Sequence, residues 1–441
     1  MLKSRKIAVE ILAEVEEGAY LNLAVKKYLK GLEKQKRRFA AALVYTTLEN
    51  LLRIDYVIDY FAKANRIHRY VRNVLRIGVC QLMFFESVPV SAAVNESVKL
   101  IAASKKRQLK GFVNAVLRNV AEHLGEVAYP AREQDPAGFL SIMYSYPRWI
   151  AQMYIKEYGF DFAWEMLSYH KPEAYTSIRI NHLKADKESL QRKLEGRGLH
   201  FIPGQYVSDC LYIKNISSVD ELDLYRKGLL TVQGESSMLV CRAADVQPGD
   251  WVLDVCAAPG GKTAYLAERK PAYLQAWDLH EHRVQLMQEN FTRLGVNAEV
   301  MVQDATVLRV DAIKQFDVVL VDAPCSALGL LYRKPDIKFS KTDEDLQEIV
   351  QTQKNILKVC AEYVKPGGTL IYSTCTINRQ ENEENFQWFL QQCSDFEADG
   401  LLGGLPEQLI GRVKAGGLQL FPHLDGVDGF FIAKARRKKN D

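Results

Sequence analysis

The segment Trp251-Val-Leu-Asp-Val-Cys-Ala-Ala-Pro-Gly-Gly-Lys-Thr263 reads as a buried strand, a glycine-rich turn and a helix start. Trp251 to Val255 is a short apolar, β-branched run interrupted only by Asp254, which suits a strand covered on both faces. Pro259, Gly260 and Gly261 break it, and Lys262 to Arg269 has helix-forming composition. A strand that feeds a helix through glycines brings backbone N–H groups and a helix N-terminus close to a ligand. Two familiar versions of such a loop fail. A P-loop needs glycine where Cys256 stands, although Gly261-Lys262-Thr263 is present, and the dinucleotide pattern Gly-x-Gly-x-x-Gly is absent. What remains is a nucleoside-binding crevice of doubly wound type, with Asp278 about 20 positions on, where an acidic residue holds a ribose diol. The competing reading is an ordinary tight turn in an α/β sheet.

From about Ser236 to Arg437 strand and helix patterns alternate. Strands are predicted at 251–255, 274–278, 299–303, 316–321 and 369–373, and helices near 281–294, 343–363 and 381–393. That alternation argues a largely parallel doubly wound sheet. Leu418–Phe421 and Gly429–Ala435 read as a closing hairpin-like pair. Phe316-Asp-Val-Val-Leu-Val-Asp322 is a second buried strand with Asp322-Ala-Pro-Cys325 at its end, and Gly368-Thr-Leu-Ile-Tyr-Ser-Thr-Cys375 repeats the device. Ligands of open α/β sheets lie beyond the carboxyl ends of the strands, so Asp254, Asp278, Asp304, Asp322, Cys325 and Cys375 are expected at one crevice. Singly, a strand-end Asp is a helix cap and a free Cys is core filler. Two cysteines ending two strands of one crevice favour chemistry.

The first third is different. Residues 1 to about 125 read as all-helical: Ile7, Ile11, Leu12 and Val15 share a face, as do Val71, Val74, Leu75 and Val79, and Ser91 is the expected cap of a helix through Ile101. Residues 1–130 hold 22 Lys and Arg against 12 Asp and Glu, and the remainder 36 against 42, so the net charge of +4 hides a basic front. Its clusters are Lys34, Lys36, Arg37 and Arg38, then Arg66, Arg69 and Arg72, then Lys105, Lys106, Arg107 and Lys110. A polyanion, nucleic acid, is the partner this charge suggests; a merely soluble basic surface is the plain alternative. Gly125 to Gly138 has linker composition. After a helix opening at Tyr146-Pro-Arg-Trp149, the predicted order is strand Thr176–Asn181, helix Lys187–Glu195, strands Leu199–Ile202 and Cys210–Ile213, helix Val219–Tyr225 and strand Leu229–Val232. This is the split β-α-β-β-α-β arrangement of ferredoxin-like folds, without the aromatic signature of RNA-recognition motifs. Three domains are expected: a helical one over 1–128, a small α+β one over 140–235, and a Rossmann-like one over 236–437.

Several classes are excluded. No apolar run reaches the roughly 18 residues of a membrane span, and no signal peptide is evident. The eight cysteines form no Cys-x-x-Cys pair, so neither a disulfide scaffold nor a metal site is expected, and a reducing cytoplasmic setting fits. The tail Arg436-Arg-Lys-Lys439 reads as a solvated end available to nucleic acid.

The front third, through Pro89-Val-Ser-Ala-Ala-Val-Asn-Glu96 and Lys110-Gly-Phe-Val-Asn-Ala-Val-Leu-Arg118, resembles the helical RNA-binding domain of the NusB antitermination factor. Asp254 to Thr263, Asp322-Ala-Pro-Cys-Ser-Ala-Leu-Gly329 and Tyr372-Ser-Thr-Cys-Thr-Ile-Asn378 look like those of S-adenosylmethionine-dependent RNA cytosine-5 methyltransferases, a match extended by Gln380-Glu-Asn-Glu383 and Asp428-Gly-Phe-Phe431. Together the chain resembles the bacterial 16S rRNA cytosine-5 methyltransferases of the Sun/Fmu type. The resemblance implies methyl transfer to C5 of a cytosine, with Cys375 the nucleophile at C6 and Cys325 assisting release; spacing alone does not say which is which. It implies that Cys256, Ala257, Ala258, Pro259, Gly260, Gly261 and Lys262 wrap the cofactor's methionine and ribose portion, with Asp278 on the ribose diol and Asp304 on the adenine amine. Asp322 is expected on the cytosine edge or the methionine end of the cofactor, and Lys262 is expected to favour a thiolate or balance charge. Arg333, Lys334, Pro335 and Asp336 are expected at the backbone of a flipped nucleotide. A monomer acting on 16S rRNA is the reading. Its rivals are a tRNA cytosine-5 methyltransferase and a non-catalytic assembly or antitermination factor, against which the retention of both cysteines speaks.

Overall fold

The stripe Val71, Val74, Leu75 and Val79 is fully buried on the helix Arg69–Phe84. The helices Leu2–Glu16, Lys34–Glu49, Leu51–Ala62, Val90–Ala102 and Lys110–His123 pack directly on it. The computed structural model describes residues 2–170, 175–214, 216, 219–400 and 404–439. The chain divides into two units, Met1–Tyr169 with Leu331–Thr342, and His170–Leu330 with Asp343–Asp441. Among the described residues no helix is long and apolar enough to cross a membrane.

In the first unit the helix expected to be capped by Ser91 starts two residues earlier, at Val90, with Pro89 at the cap position. Pro89 precedes it with φ −58° and ψ 140°, and its ring already fixes the φ that a helix start needs. The stretch with linker composition is fastened down. Tyr56 and Tyr60 donate to the carbonyls of Ala128 and Glu126 at 2.7 and 3.0 Å, and Tyr129 stacks on Tyr56. Asp135 then caps the helix Pro136–Tyr144 through the Gly138 N–H and accepts both arms of Arg148 at 2.7 Å. The helices Arg148–Tyr158 and Phe160–Ser168 complete this unit's main chain.

Two arginines of its second basic cluster are not what composition suggests. Arg69 pairs with Glu16 and Glu17, and Arg72 with Asp55 and Asp59, so their charges are used inside the bundle. The segment Leu331–Thr342 also packs here. Asp336 accepts the Leu21 N–H at 3.4 Å, and Lys338, 4% exposed, donates to the carbonyls of Glu49 and Tyr144 above the Tyr146 ring. Burial pulls the Lys338 ammonium down to about 7. The stretch expected to hold a nucleotide backbone therefore spends Asp336 on the bundle.

The second unit begins with a four-stranded antiparallel sheet of β1 (Tyr175–Ile180), β2 (Phe201–Pro203), β3 (Cys210–Lys214) and β4 (Leu230–Val232), in the ferredoxin-like order β2-β3-β1-β4. The helix Lys187–Glu195 lies between β1 and β2. The one predicted over Val219–Tyr225 is a single turn, Asp223–Arg226, because Leu222 is extended at ψ 133°. Next come β5 (Trp251–Asp254), β6 (Tyr273–Asp278), β7 (Glu299–Val302), β8 (Phe316–Asp322), β9 (Val364–Thr374), β10 (Phe396–Ala398), β11 (Gly417–Leu420) and β12 (Phe430–Arg437). Their order is β10-β12-β9-β8-β5-β6-β7, with β11 paired to β12. The five strands from β9 to β7 are parallel, and β10, β11 and β12 add antiparallel. This is a mixed Rossmann-like sheet. Val319, Leu320 and Val321 at its centre are fully buried on both faces, as parallel strands require.

Candidate functional site

The strand order reverses at β5, which has β8 on one side and β6 on the other, and a crevice opens beyond the carboxyl ends of strands at such a point. The loop Cys256 to Lys262 leaves β5 there. The Ala257 N–H donates to the Trp277 carbonyl at 2.8 Å, and the Gly260 N–H turns back to Ala257 at 2.7 Å. Arg283 donates to the Ala258 carbonyl and Asn290 to that of Pro259. Gly260 sits at φ +92°, and a Cβ on it would lie 2.5 Å from the Phe291 ring, so only glycine fits the turn. Gly261 opens the helix Gly261–Leu266. The Cys256 thiol is pushed well up by burial, and it packs against the core rather than offering a nucleophile.

Lys262 and Asp322 meet at 2.5 Å, and the second carboxylate oxygen of Asp322 accepts the Ser373 hydroxyl at 2.8 Å. Burial opposes the Lys262 charge, but Asp322 more than offsets it, so the ammonium is held above its ordinary range. Asp278, 2% exposed, accepts the N–H groups of Ala258 and His280 and pairs with Arg283 at 3.2 Å. Asp304 accepts both the N–H and the hydroxyl of Thr306, closing its own turn. Asp254 is fully buried; one oxygen accepts Thr263 at 2.7 Å and the other, Oδ1, has no partner among the described residues.

The two sulfurs come together. Cys325 Sγ lies 3.2 Å from Cys375 Sγ, and the Cys375 N–H points at Cys325 Sγ from 3.3 Å. The Cys325 thiol is pushed well up, first by its hydrogen bond to Cys375, then by burial. Both loops are tied to a third, before β12. The Gly329 N–H donates to the Cys375 carbonyl and the Gly429 N–H to the Gly329 carbonyl, each at 3.0 Å. A Cβ on Gly329 would fall 2.0 Å from the Gly429 carbonyl oxygen, so both positions are closed to any side chain. Thus β5, β6, β8 and β9 bring Asp254, Lys262, Asp278, Asp322, Cys325 and Cys375 to one edge of the sheet.

This geometry matches the comparisons with known proteins. Residues 242–436 match the model of the 16S rRNA methyltransferase RsmB/F family, 2–122 that of the NusB family, and 146–220 that of the RsmF/B-like ferredoxin-like domain. The last of these takes in the helices Arg148–Tyr158 and Phe160–Ser168, whose packing groups them with the bundle. The probable ribosomal RNA small subunit methyltransferase B of Bacillus subtilis is 37% identical over 98% of both chains. The chain belongs to the RsmB/F family of 16S rRNA methyltransferases. The ribosomal RNA small subunit methyltransferase B of Serratia proteamaculans is 31% identical, covering 98% of this chain and 97% of that one. Among solved structures, PH0851 superposes with a TM-score of 0.81 over 99% of each chain at 26% identity. NSun6 from Pyrococcus horikoshii, solved with SFG, gives 0.60 at 24% identity over 67% of this chain and 99% of its own, a likeness of fold. S-adenosylmethionine is the cofactor of this family.

The buried Asp278 carboxylate suits a ribose diol better than a phosphate. Sequence reasoning missed Arg283, Gly429 and Glu381. The last two lay within recognised motifs, but no periodicity signals a long-range hydrogen bond.

The Asp254 carboxyl is raised to about 7, first by burial, and so keeps a proton that the unfolded chain releases near about 4. Folding then binds a proton across that interval, and stability from this group is lost as pH rises from about 4 to 7. Without added cofactor, Asp254→Asn should be more stable relative to the parent at pH 8 than at pH 5. Thermal melts showing the same difference at both pH values would count against a buried neutral Asp254.

Proposed function

We propose that this protein transfers a methyl group from S-adenosylmethionine to C5 of a cytosine in 16S rRNA through a covalent cysteine adduct. The observation that carries the reading is the 3.2 Å approach of Cys325 and Cys375 at the carboxyl edge of the sheet. Cytosine C5 is a poor nucleophile. A Cys375 thiolate bonding to C6 pushes the C5–C6 π electrons toward C5 and makes it enamine-like. S-adenosylmethionine, when bound, supplies the methyl group on its sulfonium. C5 then bears both a methyl group and a proton. Transfer of that proton to solvent restores the C5–C6 double bond and expels Cys375 as thiolate, with Cys325 assisting release.

The other side chains hold and orient. Asp278 is assigned to the ribose diol, Asp304 to the adenine amine, and the Cys256–Lys262 loop to the methionine and ribose portion. Asp322 is assigned to the cytosine edge or the methionine end, and Lys262 balances its charge across their ion pair. Asp278 and Asp304 already accept local hydrogen bonds, so cofactor binding shares those carboxylates. Ribosomal rather than transfer RNA is favoured, because the full-length relatives are named for the small ribosomal subunit.

RNA is assigned to the basic first unit, and within it to lysines gathered around one cavity. Lys3, Lys6, Lys105 and Lys106 line a cavity of about 860 Å³ with His68 and Tyr70. Lysines there neutralise phosphates, and the aromatic ring offers a base a stacking surface.

The thiols separate the reading from its reverse. Cys375→Ala should abolish methyl transfer and trap no RNA, whereas Cys325→Ala should accumulate a protein–RNA complex that survives a denaturing gel. The opposite pattern would exchange the roles, and two active variants without adduct would remove covalent catalysis.

For RNA, Lys105→Gln with Lys106→Gln should weaken binding and flatten the slope of log affinity against log salt by roughly 1 to 2. Arg69→Gln, whose charge is met by Glu16 and Glu17, should leave that slope unchanged. Filter binding across a salt series decides it; an unaltered slope in the lysine variant would place the contacts elsewhere.

A further inference from the structure

One buried carboxylate beside the thiols has no part in the chemistry above. Glu381, in the turn before the helix Glu383–Gln392, is fully buried and spans the two cysteine loops. Its Oε2 accepts the Ser326 N–H at 2.9 Å and Gln353 Nε2 at 3.1 Å, while Oε1 accepts the Ser326 hydroxyl at 2.5 Å and Asn378 Nδ2 at 3.3 Å. Ser326 directly follows Cys325, and Asn378 lies three residues after Cys375. Gln353 closes the ring, donating also to the Pro324 carbonyl at 3.0 Å, and the Ser326 hydroxyl lies 2.9 Å from that of Thr376. Tyr372 fixes the Glu381 main chain by donating to its carbonyl at 2.6 Å.

A buried carboxylate that only fills space costs free energy, and this one meets that cost with four donors from two loops and a helix. We propose that Glu381 is a positioning residue for the methyl transfer, clasping Ser326 from the Cys375 side and so holding the Cys325 sulfur against that of Cys375. The inference rests on the two-thiol reading. Its charge acts in the same direction as its geometry: a fixed carboxylate near Cys325 disfavours a second anion there, after the larger effects of Cys375 and burial. Cys325 is thereby held toward the thiol form. Glutamine cannot replace Glu381, since its amide N–H₂ would face a donor wherever it was turned.

The test uses the full-length protein with S-adenosylmethionine and 16S rRNA, comparing Glu381→Gln, Ser326→Ala and Cys325→Ala. Glu381→Gln should lower methyl transfer roughly 10- to 100-fold, the scale of a misplaced reacting group. Its S-adenosylmethionine affinity should stay within about two-fold of the parent, and it should accumulate the same denaturation-resistant RNA complex as Cys325→Ala. Ser326→Ala, which removes one hydrogen bond of the clasp, should do so to a smaller degree. In a Cys375→Ala background, Glu381→Gln should shift the pH midpoint of Cys325 alkylation downward, a change that a purely structural role would not produce. Parental turnover with no trapped complex in Glu381→Gln, while Cys325→Ala traps RNA, would overturn the positioning role. Loss of cofactor binding in both Glu381→Gln and Ser326→Ala would also overturn it, reducing the clasp to core support. If Cys325→Ala itself traps nothing, the two-thiol reading fails, and the alkylation midpoint alone decides the clasp.

Discussion

The register between β8 and β9 governs everything at the crevice. Their parallel ladder sets Asp322 opposite Ser373, so the chains leave the sheet side by side and the next residues of each must turn over the same ground. Cys325 is three residues past one partner and Cys375 two past the other, which is why two sulfurs fifty positions apart lie 3.2 Å from each other. A slip of one residue in that ladder would turn every side chain of one strand to the opposite face and separate them. The register is secured from both sides: Val319, Leu320 and Val321 are buried between the layers, and β12 pairs antiparallel along β9. The mutual approach of Gly329 and Gly429 then locks the loops beyond the strands.

Charge follows from the same burial. Lys262 and Asp322 are tolerable at this depth because they meet each other, and Asp254, which has only Thr263, holds its proton instead. Of the two thiols, Cys325 is the one driven toward the neutral form, by its bond to Cys375 and by burial. The crevice thus combines a paired cation, a neutral acid and a neutral thiol within one strand edge.

Much of this was legible in the residues. Apolar runs ending in Asp322 and in Ser373-Thr-Cys375 declare buried strands, and glycine after proline at 259–261 declares the turn. The helices and strands at 281–294 and 316–321 appear where their periods place them. Composition misled where charges find partners far off in sequence. Arg69 and Arg72 look like phosphate ligands until Glu16, Asp55 and their neighbours are folded against them. The same holds for the Leu331–Thr342 segment, which follows a motif of one unit yet packs in the other, with Lys338 capping carbonyls nearly 200 and 300 positions away. Glu381 stood in a motif without a role, because a clasp between two loops leaves no local pattern.

The most direct measurement is the identity of the methylated nucleoside. Purified protein is incubated with 16S rRNA and S-adenosylmethionine carrying a deuterated methyl group, and the RNA is digested to nucleosides for chromatography and mass spectrometry. The account expects the label in 5-methylcytidine, dependent on Cys375. Label on a ring nitrogen, on a ribose hydroxyl or in any other base would contradict it, since none of those positions needs a thiolate at C6.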